Sequence, residues 1–424
     1  MQTWFRQERL QRRIFLKGAA VGLATAGTTW TSRTVASDVN RGKIAGDAEG
    51  DVYRIAIKLK TPKSGKDKRV SEPLDEITCS MFIPQGLRVI RGATFNAFYE
   101  PTVEQKHWRA AASCWGFAHI GTNLFRVRND ELRTTVLRAL AKLAQVSEHP
   151  EVKHIPLCFH GMSIGGGLSS RLVEALPERT IAAAPVCLEV GPRDEASRRV
   201  PMVTIFGERD GRQMEILSAK LPAARADSAR WAIAPQWGRK HEWHRASNMV
   251  VAFYDRVIRL RYPPEADPVA GPVTLIDCGE QRGWLADRST WRTSAPKVFP
   301  FDQYPGDRSE TCWLPDGYVA AVWRSFVSCQ SPLRITSPTG MGDGVPFQSC
   351  SANKPIDLTL DLRGDLDCRQ IELYDGLRRL TVLKGTPTSA TLPGLDTGIY
   401  ALIAEAVLAD GTRIVSPPNT IVVR

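Results

Sequence analysis

The chain has 424 residues, 43% of them hydrophobic and 24% charged, and carries a formal net charge of +11. That balance suits two or three globular domains and excludes a disordered or fibrous protein. The basic excess invites an anionic partner, but no basic run is interleaved with stacking aromatics, so no nucleic-acid surface is expected.

Residues 1–36 read as an export signal. Arg12-Arg13-Ile14-Phe15-Leu16-Lys17 resembles the twin-arginine signature, the weakly apolar run 18–29 is too short to span a bilayer, and Thr34-Val35-Ala36 offers small residues to a signal peptidase. The resemblance implies a bacterial protein that the twin-arginine machinery exports folded, to the periplasm or beyond. No cysteine follows the apolar run, so no stable membrane anchor is expected. Six of the 56 basic residues and one of the 45 acids precede the expected cleavage point, so the mature net charge falls to about +6. The remainder suits a solvated face with mild steering of anions.

The stretch 37–50 is small and polar and reads as a linker. Residues 51–60 alternate apolar and polar and pair naturally with 77–83, the two separated by a lysine-rich loop at 61–70. A strand is expected over 87–98, leading into a loop at 99–107, then a helix at 108–114 and a strand at 116–121. Leu132, Val136, Leu140 and Leu143 mark a further helix, capped by Asn129 or Asp130. Strands and helices continue to alternate through 155–260, which predicts an α/β domain with a parallel sheet flanked by helices.

The most informative stretch is Ile155-Pro-Leu-Cys-Phe-His-Gly-Met-Ser-Ile-Gly-Gly-Gly167. An apolar strand runs into Gly161-x-Ser163-x-Gly165, and Ile164, Leu168 and Leu172 then recur at helical spacing. A strand that enters a helix through so sharp a turn holds its serine at strained backbone angles, with the hydroxyl clear of the sheet. Serine is a poor nucleophile near neutral pH, so it requires an imidazole and a carboxylate to orient that imidazole. Asp210, in the turn after the strand at 201–206, and His241, in the loop after 230–234, follow Ser163 in the required order.

On these residues, 80–262 resembles the α/β-hydrolase superfamily, nearest in style to secreted esterases and to dienelactone-hydrolase or polyester-depolymerase relatives. The Lys-His241-Glu-Trp loop resembles that family's Gly-His-Glu-Trp, with Lys240 in place of the glycine. The resemblance implies Ser163 as nucleophile, His241 as base and Asp210 as its orienting acid, with no cofactor and no metal. Glu189 is the rival acid and His244 the rival base, while His160 orients the turn. The amide of Ile164 is the expected oxyanion donor, joined by Phe98 or Tyr99 from the loop after the strand at 87–98, where the sequence departs from the family's His-Gly turn. Tyr99, Trp108, Trp237 and Trp243 are expected at the mouth as substrate contacts, and the short connection 191–200 leaves little room for a lid.

Prolines at 263–272 mark a boundary. The tryptophan-rich segment 263–351 is expected to pack back on the catalytic unit, which spans 51–262. From 352 to 424, short alternating runs separated by turns predict a C-terminal all-β, sandwich-like domain resembling immunoglobulin-like accessory modules. Of nine cysteines, Cys158 and Cys187 sit in apolar runs as core residues, and Cys312, Cys329 and Cys350 are candidates for a disulfide. None has C-x-x-C spacing, which disfavours structural zinc. The function expected is hydrolysis of a small or polymeric carboxylic ester; a serine peptidase and a non-catalytic glycan- or polymer-binding protein are the alternatives.

Overall fold

The structure is a computed structural model that describes residues 42–59, 76–188, 191–329, 331–342, 347–364 and 366–424. The expected signal at 1–36, the lysine-rich loop at 61–70 and Glu189 lie outside the described residues.

A nine-stranded sheet organises the first half. Its strands are β1 (Lys43–Asp47), β2 (Gly50–Lys58), β3 (Glu76–Pro84), β4 (Gly92–Asn96), β5 (Phe117–Thr122), β6 (Leu157–Met162), β7 (Thr180–Val186), β8 (Met202–Gly207) and β9 (Trp231–Gln236). Their order across the sheet is β1-β2-β3-β5-β4-β6-β7-β8-β9. Pairing is antiparallel from β1 to β5 and parallel from there to β9. The inner strands are buried along their whole length, so they read as continuous apolar runs, whereas β2 keeps the alternation of a strand with one wet face. Part of the stretch expected as linker is the edge strand β1, and the expected strand at 87–98 shortens to β4.

The flanking helices are α1 (Lys106–Trp115), α2 (Leu132–Ser147), α3 (Ile164–Ala175), the single turn α4 (Glu195–Arg198), α5 (Gln213–Ala226) and α6 (Ala246–Arg261). Neither Asn129 nor Asp130 caps α2; both belong to a short 3-10 turn that leads into it. The indole of Trp115 donates to Asp255 Oδ1 at 3.0 Å and ties α1 to α6.

Residues 263–351 wrap over the outer edge of the sheet. Strands β10 (Trp284–Asp287), β11 (Val298–Pro300) and β12 (Thr311–Leu314) form a small antiparallel sheet, followed by α7 (Gly317–Phe326). An edge strand presents unpaired backbone groups. Here the Ile233 N–H of β9 donates to Cys312 Sγ (3.4 Å) and its carbonyl accepts from the Trp323 indole (3.0 Å).

The last unit is a sandwich of two antiparallel sheets. One holds β13 (Leu333–Ser337), β14 (Ile356–Leu362) and β17 (Ser389–Leu392); the other holds β15 (Cys368–Asp375), β16 (Arg378–Lys384), β18 (Gly398–Leu408), β19 (Arg413–Val415) and β20 (Asn419–Val423). Leu358 and Leu360 of the first meet Leu373 and Leu402 of the second in a separate core. The sandwich begins at Leu333, ahead of the boundary expected at 352. It is fastened to α6, where Asn248 accepts from the Thr420 N–H (2.8 Å) and Thr420 Oγ1 donates to the Asn248 carbonyl (2.7 Å). All nine cysteines are free thiols, so Cys312, Cys329 and Cys350 form no disulfide. Among the described residues, no helix is long and apolar enough to cross a membrane.

Candidate active site

Ser163 sits between β6 and α3 at φ 60°, ψ −122°, a conformation that L-residues avoid. The glycines around it are required by contact. A Cβ on Gly161 would stand 2.7 Å from the Gly165 backbone, and one on Gly165 would stand 2.7 Å from Phe98 Cβ. The Ser163 N–H donates to the Val186 carbonyl at the end of β7 (2.8 Å), which pins the turn to the neighbouring strand. Ile164 opens α3, so its N–H has no intrahelical acceptor and lies at the positive end of the helix dipole.

The next two strand ends carry the other expected residues. Asp210 follows β8 and His241 follows β9, and His241 Nδ1 lies 2.9 Å from Asp210 Oδ1. A carboxylate only accepts, so Nδ1 carries the proton, and in the neutral ring that tautomer makes Nε2 the acceptor a general base needs. The imidazole is about 30% exposed and the carboxylate about 11%. The two loops are joined by their backbones, with Arg209 N–H donating to the Arg239 carbonyl at 2.7 Å and Glu208 N–H to Gln236 at 3.0 Å. The Gln236 side chain adds a brace: its amide donates to the Trp243 carbonyl (3.3 Å) and its oxygen accepts the Arg245 N–H (3.2 Å).

Cys187 links this pair to the elbow. It follows Val186, adopts φ 56°, and its sulfur lies within 4.8 Å of ligand atoms of both Asp210 and His241. No other trio among the described residues has spacing that suits a metal ion. Burial and the Asp210 charge push the thiol's pKa up, and its S–H donates to the Glu242 carbonyl at 3.3 Å. A thiol ligates metals as thiolate, so the trio as built suits hydrogen bonding better than coordination. Sequence reasoning read Cys187 as plain core.

The loop after β4 leans on α3 with Phe98 against Gly165, beside the N-terminus of the helix. Its donors are engaged, because Asn96 Oδ1 accepts from both the Phe98 N–H (3.1 Å) and the Tyr99 N–H (2.9 Å). Phe98 is therefore adjacent to the elbow with its amide held by Asn96. An asparagine closing a strand before a turn was the available signal for that anchor. Tyr99 is exposed at 50%.

The tryptophans divide. Trp108 is not at the mouth: it is 1% exposed and stacks on His160 at 4.1 Å, so its role is packing. Trp243 is half-buried and turned inward, its indole donating to Ser247 Oγ (2.8 Å). Trp237 lines a cleft beside the His241 loop, with its indole bound to the Val327 carbonyl (2.6 Å). His160 is buried with both ring nitrogens unpartnered among the described residues, and burial lowers its pKa to about 3. His244 lines the same cleft as Trp237, and burial with Arg239 and Arg245 lowers it to about 4.

The chain matches no family model and no curated protein. It is similar in part to solved structures. A cold-adapted esterase from an Arctic intertidal metagenomic library is 10% identical, with a TM-score of 0.37 over 53% of this chain and 99% of that one. An S-formylglutathione hydrolase from Agrobacterium tumefaciens is 13% identical, with a TM-score of 0.33 over 51% and 97%. A putative dienelactone hydrolase from Klebsiella pneumoniae is 15% identical, with a TM-score of 0.30 over 45% and 88%. This is an α/β-hydrolase fold. The assignment rests on the chain's own sheet order, in which β5 and β4 exchange places at the start of the parallel run, and on the serine turn that follows β6.

Proposed function

We propose that the chain is an exported serine hydrolase that cleaves carboxylic esters through an acyl-enzyme. In this reading, residues 1–36 are removed on export and the C-terminal sandwich is an immunoglobulin-like accessory module. Ser163 Oγ attacks the ester carbonyl carbon as its proton passes to His241 Nε2, and Asp210 steadies the resulting imidazolium. The carbonyl oxygen takes the negative charge and is held by the Ile164 N–H. The Phe98 amide becomes the second donor if Asn96 rotates away. His241 then returns its proton to the departing alkoxide, and water repeats the sequence to release the acid.

The observation that carries this reading is the 2.9 Å Asp210–His241 pair at the strand ends beside a strained serine elbow. The short connection between β7 and β8, with only the single turn α4, favours an accessible site and a bulky or soluble ester. Turnover of p-nitrophenyl butyrate by the mature protein is the test. Ser163→Ala is expected to abolish it while circular dichroism and thermal unfolding stay those of the parent. Retained turnover overturns the assignment, and cleavage of peptides with no action on simple esters redirects it to a peptidase.

A further inference from the structure

A cleft of about 420 Å³ opens behind the loops that hold Asp210 and His241. Arg209 and Arg239 reach it from those loops, Arg245 from the start of α6, and Arg334 from the first strand of the C-terminal sandwich. A fifth guanidinium, Arg292, covers the Trp237 ring at 4.6 Å and pairs with Glu208 at 2.9 Å. Glu208 is the one carboxylate on the lining, and it also accepts the Gly238 N–H (2.9 Å). Among the described residues, no carboxylate lies within ion-pair distance of Arg209, Arg239, Arg245 or Arg334. Burial and repulsion from Arg334 and Arg239 lower the pKa of Arg245. Arg245 and Arg334 are half-buried while Arg209 and Arg239 are exposed at the rim; half-buried like charges without a counterion cost stability, and an anion between them offsets that cost.

We propose that this cleft binds a carboxylate on the substrate, making the preferred substrate an ester with a second, free carboxylate in its acyl or alcohol part. The planar fork of arginine matches a carboxylate in bidentate fashion. The cleft shares its loops with the candidate triad, since Arg209 precedes Asp210 and Arg239 stands two residues before His241, although Ser163, Asp210 and His241 are not themselves on its lining. Through Arg334 the C-terminal sandwich supplies one wall of the cleft. The inference rests on the esterase reading above.

The test uses the mature full-length chain and two aryl esters of similar length, neutral p-nitrophenyl butyrate and mono-p-nitrophenyl glutarate. The expected kcat/KM is at least tenfold higher for the glutarate at low salt, with the advantage shrinking as sodium chloride is raised. In an Arg239→Gln/Arg334→Gln double variant the glutarate-to-butyrate ratio is expected to fall about tenfold, mainly through the KM for glutarate. Calorimetric titration of succinate and of sulfate into the Ser163→Ala protein reads the cleft without turnover. Succinate binding that is lost in the added double variant supports the proposal, and it does so even if neither ester is cleaved, in which case the esterase reading falls alone. Equal kcat/KM for the two esters with no succinate binding overturns the proposal. Sulfate binding without succinate binding overturns its carboxylate assignment.

Discussion

Acidification from pH 8 to pH 5 protonates histidine wherever the chain is unfolded, and several imidazoles of the native protein resist it, two of them fully buried. His119 and His160 are fully buried beside Trp108, with half-buried His107 next to them. Burial lowers His160 to about 3 and His107 to about 4 from an ordinary 6.5, and His119 lies well below that value. Thr94 and Thr102 hydroxyls at 2.7 and 3.0 Å occupy both nitrogens of His119. Because the unfolded chain binds the protons first, stability is full above about pH 6.5 and is lost as pH falls toward the folded values. At pH 5 the His160 imidazole costs about 2 kcal/mol relative to pH 8 and His107 a similar amount, while His119 acts in the same direction. Carboxylates titrate mostly below this window, so histidine dominates the slope. Urea unfolding at pH 8, 6 and 5, followed by tryptophan fluorescence, measures it. A His160→Phe variant should lose about one proton of uptake on unfolding near pH 5. A parent stability that is flat from pH 8 to 5, or an unchanged slope in the variant, would refute the reasoning.

Other consequences follow from single contacts. Asp210→Asn keeps the shape but removes the charge that fixes the His241 tautomer, and kcat should fall about 10⁴-fold with little change in melting temperature. Gly165→Ala places a methyl against Phe98 and should cost about 1–3 kcal/mol in urea unfolding, with ester turnover reduced as the oxyanion loop shifts. Trp108→Ala should destabilise the fold by about 3–5 kcal/mol, whereas a substrate contact at that position would raise KM and leave stability alone.

The elbow was legible because its chemistry forces its residue types: Gly161 and Gly165 are needed by backbone contact, and that need is written in the sequence as G-x-S-x-G. The parallel run was legible for a similar reason, since strands buried on both faces are uniformly apolar. Trp108 was misplaced although its signal was present. Trp108, Ala111, Ala112 and Trp115 repeat at i, i+3, i+4 and i+7, the buried face of α1, but proximity to the loop at 99–107 drew it toward the mouth. The segment 263–351 resisted reading because β10, β11 and β12 are three or four residues long and are held by distant elements, β12 by β9 and β10 and β11 by α7. The convergence of Arg334 with Arg239 and Arg245 crosses from the sandwich to the hydrolase loops, and no local pattern encodes such a meeting. The choice of His241 over His244 becomes physical only with Asp210 at 2.9 Å from the first and arginines around the second.

The most direct test of the account is active-site labelling of the folded mature protein with a fluorophosphonate probe, mapped by mass spectrometry. Stoichiometric modification at Ser163, absent in Ser163→Ala and strongly slowed in His241→Ala, is the expected result. A folded protein that takes up no probe, or takes it up at a different residue, contradicts the claim that Ser163 is an activated nucleophile.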